Sequence, residues 1–150
     1  MIDILSEILA GDEGERQFVY DDKTGKDLKP GMTLIGNAAI GIGRDLISHG
    51  LSPNEISVLF QNDLRMLEPN CSRNMPYWSK LSSVRKVVVM CMVFQIGLRG
   101  YLAFDRMEAA LDKEDWAVAA SEMVKSRWAS QTPGRAARLA AMMRSGLYQS

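Results

Sequence analysis

Residues 81–96, LSSVRKVVVMCMVFQI, decide which class of fold the chain can take. After Ser82 and Ser83 the stretch is apolar on nearly every side, so either a buried strand or a buried helix would accommodate it. Its sixteen residues contain no glycine or proline and exceed the usual length of a strand, which favours a central helix enclosed by others. Helical patterns continue on both sides. Upstream, Ser52-Pro53-Asn54-Glu55 is a helix start: Ser52 can cap, Pro53 suits the first turn, and Glu55 completes a capping box. Ile56, Leu59, Phe60, Leu64 and Leu67 then share one face. Downstream, patterns around 102–111 and 114–127 precede a last helix that begins at Thr132-Pro133, with Thr132 as cap, and ends at Gly146.

The first fifty residues read differently. Ile2, Leu5, Ile8 and Leu9 stripe one short helix, which Gly11 or Gly14 can close. From Gln17 the character changes to QFVY, then a turn-rich KTGKDLKPG, then AAIGIG, and this predicts a small sheet between about 17 and 45. A helix, a small sheet and a run of helices predict an α+β fold with segregated parts.

The bulk numbers exclude several classes of function. At 150 residues and 47% apolar composition, one domain can bury a core without disulfide or metal. The net charge is zero, so no overall field steers the chain to nucleic acid or an anionic membrane. Two cysteines, Cys71 and Cys91, with the single His49 make neither a disulfide framework nor a zinc set, and no cofactor or metal is expected. The N-terminus lacks a basic start and a long apolar run, so no secretion signal is expected, and VVVMCMVF at 87–94 is too short to span a bilayer. His49 reads as a turn residue, Gly41 and Gly43 as close-packed strand, and the methionines as core filling.

Charge is nevertheless unevenly placed. Residues 12–25, DEGERQFVYDDKTG, hold five carboxylates, while 125–144 holds Lys125, Arg127, Arg135, Arg138 and Arg144 with no acid. Within the acidic stretch, Glu13 sits at a helix end and Asp22 just after a strand, so the two can face one another across a gap. Cleavage of a glycosidic bond needs that arrangement, with one carboxyl protonated to donate to the leaving oxygen and the other ionised. By spacing alone, the pair is equally readable as solvated surface acid.

Asp12, Glu13, Gly14, Arg16, Tyr20, Asp22 and Gly25 form the pattern DEG-x-R-x-x-x-Y-x-D-x-x-G, followed by IGIGR at 40–44, MVFQIG at 92–97 and KSRWASQTPGRAAR at 125–138. In these segments the chain resembles the phage lysozymes of glycoside hydrolase family 24. The resemblance implies a small sheet lobe about 14–50 and a larger helical lobe, 1–13 plus 52–150, flanking a substrate cleft in one lysozyme-like domain. It implies hydrolysis of the β-1,4 bond between N-acetylmuramic acid and N-acetylglucosamine in peptidoglycan, usually with inversion. Glu13 matches the family's general acid and Asp22 the carboxylate that activates water. Arg135 matches the basic residue near the glutamate, and Phe94 and Gln95 match residues close to the cleft. Arg44 stands where the family often has histidine, and Asp63 matches its expected ion-pair partner.

One position departs from the pattern. Where the family has a threonine whose hydroxyl holds the attacking water, this chain has Ala39. Loss of a donor that matters in the transition state costs on the order of 3 kcal/mol. Thr24, Thr33 and Asn37, in a segment longer than the T-even enzyme's, offer replacements; otherwise Ala39 marks a wall-binding or structural relative. The expectation is an endolysin, monomeric, made in the host cytoplasm and reaching the wall through a separate pore, with glycan strands as partner and neither nucleic acid nor membrane insertion.

Overall fold

The computed structural model describes residues 2–149, apart from the side chains of Asp12 and Glu13. The chain divides into two compact units, Met1–Leu59 and Phe60–Ser150. Helix α1 (Ile2–Glu13) opens the first and is closed by Gly14, whose N–H reaches the Ala10 carbonyl at 3.2 Å. Three strands follow as an antiparallel sheet in the order β1 (Arg16–Asp21), β2 (Ala38–Gly41), β3 (Arg44–Asp45). Tyr20 faces Ala39, Asp21 faces Ala38, and Ile40 faces Arg44. The sheet falls where the sequence predicts it. The reason for its glycines differs from the expectation of close packing: a Cβ at Gly41 would meet no neighbour, and Gly41 and Gly43 take φ of 65° and 70° at the β2–β3 turn. The turn needs a left-handed backbone that side chains strain.

Helix α2 (Pro53–Asn74) starts with the predicted capping box. The Ser52 N–H donates to Glu55 Oε2 at 2.7 Å and the Glu55 N–H returns to Ser52 Oγ at 3.3 Å.

The second unit continues through a single 3-10 turn at Trp78–Lys80 into α3 (Ser83–Tyr101), α4 (Asp105–Asp112), α5 (Trp116–Val124), α6 (Arg127–Gln131) and α7 (Pro133–Ser145). The stretch at 81–96 is the central helix, with Val88, Val89 and Met92 wholly buried. Ser82 caps it by accepting from the Arg85 N–H, and Gly97, at φ 72° and ψ 160°, kinks it. Two boundaries depart from the sequence reading. The helix expected over 114–127 stops at Val124, because Ser126 Oγ donates to the Met123 carbonyl and accepts from the Ala129 N–H, ending α5 and capping a separate α6. Thr132 precedes α7 without a side-chain cap, since its hydroxyl donates back to the Trp128 carbonyl.

The hydrophobic core, from Cys71 to Met143, lies wholly in the second unit, and Met75, Met92, Met107, Met123, Met142 and Met143 fill it. One polar cluster penetrates it: the Tyr77 hydroxyl donates to Glu108 and meets the Tyr101 hydroxyl at 3.2 Å. Burial raises the Glu108 carboxyl above its ordinary value. Before Cys71, only Asp21 and Ala39 are buried among the described residues. No single described helix is long and apolar enough to cross a membrane.

Candidate functional site

In the first unit, β1 delivers Asp22 to the point where the chain leaves the sheet. The local motif residues explain one another. Arg16 lies 4.1 Å over the Tyr20 ring, donates to the Gly25 carbonyl at 2.8 Å and pairs with Asp27 at 2.7 Å, so it folds the turn after Asp22 back onto β1. Asp22 is exposed and faces Asn37: its N–H donates to the Asn37 carbonyl at 3.0 Å, and its Oδ1 accepts the Asn37 N–H at 2.7 Å. Among the described residues no group bonds its Oδ2. Ala39 is 2% exposed, set between Tyr20 and Asp45 in the sheet. Of the residues offered as replacements for its missing hydroxyl, Thr24 accepts the Lys26 N–H, Thr33 is exposed without a described partner, and Asn37 borders Asp22 directly. The acid expected at Glu13 lies outside the described side chains.

Beside Asp22, Asp21 has the opposite environment. It is 2% exposed and accepts four backbone N–H groups, which hold its carboxyl down from 3.8 to about 2, the Ile35 N–H contributing most.

The structure places Arg44 differently from the expected ion pair. Its guanidinium meets Glu55 at 3.1 and 3.2 Å and donates to the Gly50 carbonyl, whereas Asp63 is exposed on α2 and makes no ion pair among the described residues. The capping box aims Glu55 at this loop, and a carboxylate has oxygens enough to serve Ser52 and Arg44 together. Ser52 first, then Arg44, hold the Glu55 carboxyl below its usual range.

In the second unit, Phe94, Gln95 and Arg135 come together on one groove of about 910 Å³ between α2, α3 and α7. Two exposed aromatic rings line it: Phe60 and Phe94 stand edge to face, with centroids 5.7 Å apart. The Trp128 indole N–H donates to Gln95 Oε1 at 2.7 Å, which fixes the carboxamide and leaves its NH2 as a donor. Arg135 and Arg138 are exposed along one wall, and each opposes the rise that burial imposes on the Cys91 thiol. A second hollow of about 630 Å³ shares Ile96, Trp128 and Gln131 with this groove. Aromatic faces with a fixed amide and two cations suit a sugar polymer carrying acidic groups. Among the described residues no cluster of histidine, cysteine and acidic side chains could hold a metal ion.

Sequence reasoning missed three contributors. Phe60 was read as part of an apolar helix face and Trp128 as part of a motif, while Asp21 was indistinguishable from its neighbour. The signal available for Trp128 is that it is the single aromatic residue of the motif at 125–138.

No family model matches the chain. Two proteins of Dictyostelium discoideum, probable T4-type lysozymes 1 and 2, are 29% and 30% identical to it over 97% of this chain and 96% of their own length. The pre-baseplate central spike protein Gp5 of Enterobacteria phage T4 is 28% identical over the same share of this chain, which spans 28% of that protein. With an α+β fold, a sheet-borne aspartate and an aromatic groove already described, similarity running from end to end of two lysozymes decides the matter: the chain belongs to the T4-type lysozyme family.

Proposed function

We propose that this protein is a muramidase that hydrolyses the β-1,4 bond between N-acetylmuramic acid and N-acetylglucosamine in peptidoglycan. The observation that carries the reading is the state of Asp22: an exposed carboxylate with one oxygen anchored by the Asn37 N–H and the other left for water. In the reaction, Glu13 donates its proton to the leaving glycosidic oxygen while Asp22 takes a proton from water, whose oxygen bonds to the anomeric carbon. Phe94 and Phe60 present apolar faces to sugar rings, Gln95 donates to their amide or hydroxyl oxygens, and Arg135 draws the carboxylates of the peptide stem. Arg44 supports the sheet loop through its pair with Glu55. The position of Asn37 beside Asp22 supports it as the group that orients water where Ala39 offers only a methyl.

The biological reading is that of an endolysin, active as a monomer and made in the host cytoplasm, which crosses to the wall through a separate pore. Residues 1–150 are read as one lysozyme domain. The division into a sheet lobe about 14–50 and a helical lobe of 1–13 plus 52–150 rests on the family resemblance alone.

Ala39 favours a second reading, a peptidoglycan-binding or structural protein with impaired catalysis. Incubation with purified walls separates the two: the muramidase releases reducing sugar ends, and the binder sediments with the walls without releasing them. Glu13→Gln should abolish release, and a Glu13→Gln protein working at the parental rate would remove Glu13 from the mechanism. Ala39→Thr should change the rate less than threefold if Asn37 already serves, and a gain of about a hundredfold would show that nothing does.

A further inference from the structure

Asp21 and Asp22 are neighbours, yet only one is free to meet a substrate. Asp21 Oδ1 accepts the Lys23 and Thr24 N–H groups, both at 3.0 Å, and its Oδ2 accepts those of Ile35 at 2.6 Å and Gly36 at 3.1 Å. One carboxylate therefore ties together the two ends of the loop from Lys23 to Gly36. The next residue, Asn37, is the one whose N–H holds Asp22 Oδ1 at 2.7 Å. The approach is so close that a Cβ at Gly36 would overlap Asp22 Oδ1 and stand 2.7 Å from Lys23 Cβ.

From this we infer that Asp21 is a positioning residue: it holds the Gly36–Asn37 backbone against Asp22 at a separation only glycine permits, and thereby aims the Asp22 carboxylate. The inference rests on the reading of Asp22 as the base. The role requires a carboxylate, because only its two acceptor oxygens can take four N–H groups; an asparagine would turn an NH2 toward two of those donors. Those same N–H groups keep Asp21 ionised down to about pH 2, so the clamp holds wherever Asp22 works. Misplacing a reacting group by an ångström costs up to about a hundredfold in rate.

The test is a double-mutant cycle on reducing-end release from purified peptidoglycan, joined to amide exchange in the full chain. Asp21→Asn should lower the rate roughly ten- to a hundredfold in the parent and not at all in Asp22→Asn, whose residual rate is read at high enzyme concentration. The Asn37 amide should exchange faster in Asp21→Asn. Gly36→Ala, which leaves Asp21 in place and keeps a backbone N–H at position 36, should show the same dependence on Asp22, and it carries the cycle if Asp21→Asn does not fold. A purely structural role predicts instead that the loss multiplies in both backgrounds, and that result, or an unchanged Asn37 exchange rate in a folded Asp21→Asn, overturns the inference. An Asp22→Asn protein at full rate is a distinct failure, since it removes the base itself.

Discussion

In the second unit Leu111, Val88 and Met143 are wholly buried, whereas in the first Phe18 is 65% exposed and, among the described residues, the most enclosed side chains are those of Asp21 and Ala39. The helical unit is ordered by apolar volume. The sheet is ordered by polar groups that gather backbone: Asp21 collects four N–H groups, Asp45 those of Ile47 and Ser48, and Arg16 and Arg44 bind the carbonyls of Gly25 and Gly50. Hydrogen bonds are directional while burial is not, so a carboxylate can be aimed from a small polar scaffold that a hydrophobic core would not specify. The groove adjoins that apolar volume: Leu139 in its lining is buried, while Phe60 and Phe94 are exposed along it.

The comparison can be broken by substitutions of opposite kind. Leu111→Ala should lose about 2–5 kcal/mol of stability in chemical denaturation, through lost transfer and the cavity left behind. Phe18→Ala, although it deletes a larger side chain, should cost less than about 0.5 kcal/mol because that ring already meets water. Equal losses at the two positions would end the distinction. Ser52→Ala, which removes a hydroxyl of the capping box, should cost about 1 kcal/mol while the Glu55 carboxylate stays held by the backbone N–H at position 52 and by Arg44. In the groove, Trp128→Phe keeps the ring and deletes the bond to Gln95; we expect about 0.5–1.5 kcal/mol, read as weaker binding to purified walls.

Acid sharpens the contrast because the two units respond with opposite sign. Asp21 is held down from 3.8 to about 2, so its bonds support the folded sheet above about pH 4 and are lost as pH falls toward 2. Glu108 is raised by burial, so its contribution is present at low pH and is lost as pH rises through that raised value. Residue-resolved hydrogen exchange on acidification should show Ile35 and Gly36 losing protection while the amides around Glu108 keep theirs. Simultaneous loss in both places would mean that one cooperative transition governs the chain.

Much of the helical unit was legible because its signals are local. Ser52-Pro53-Asn54-Glu55 states a cap within four residues, and the sixteen residues from Leu81 to Ile96, without glycine or proline, exceed what a strand uses. The division of 114–127 was not, because Ser126 reads as an ordinary helix-surface residue until its hydroxyl is seen to serve both Met123 and Ala129. The site was legible as motif and not as environment. Asp21 and Asp22 are chemically identical in a sequence, and which one is enclosed depends on where a chain segment returns fourteen residues later. Likewise Gln95 and Trp128 are 33 positions apart, and Arg44 reaches Glu55 because a helix cap, and not charge alone, aims that carboxylate.

The most direct test of the assignment of Asp22 is reducing-end release from purified peptidoglycan by Asp22→Asn beside the parent, with wall binding measured on the same samples. We expect the parent to release ends, and Asp22→Asn to release them at least a hundredfold more slowly while still binding walls. Release by Asp22→Asn at the parental rate would contradict the assignment of the base to the sheet.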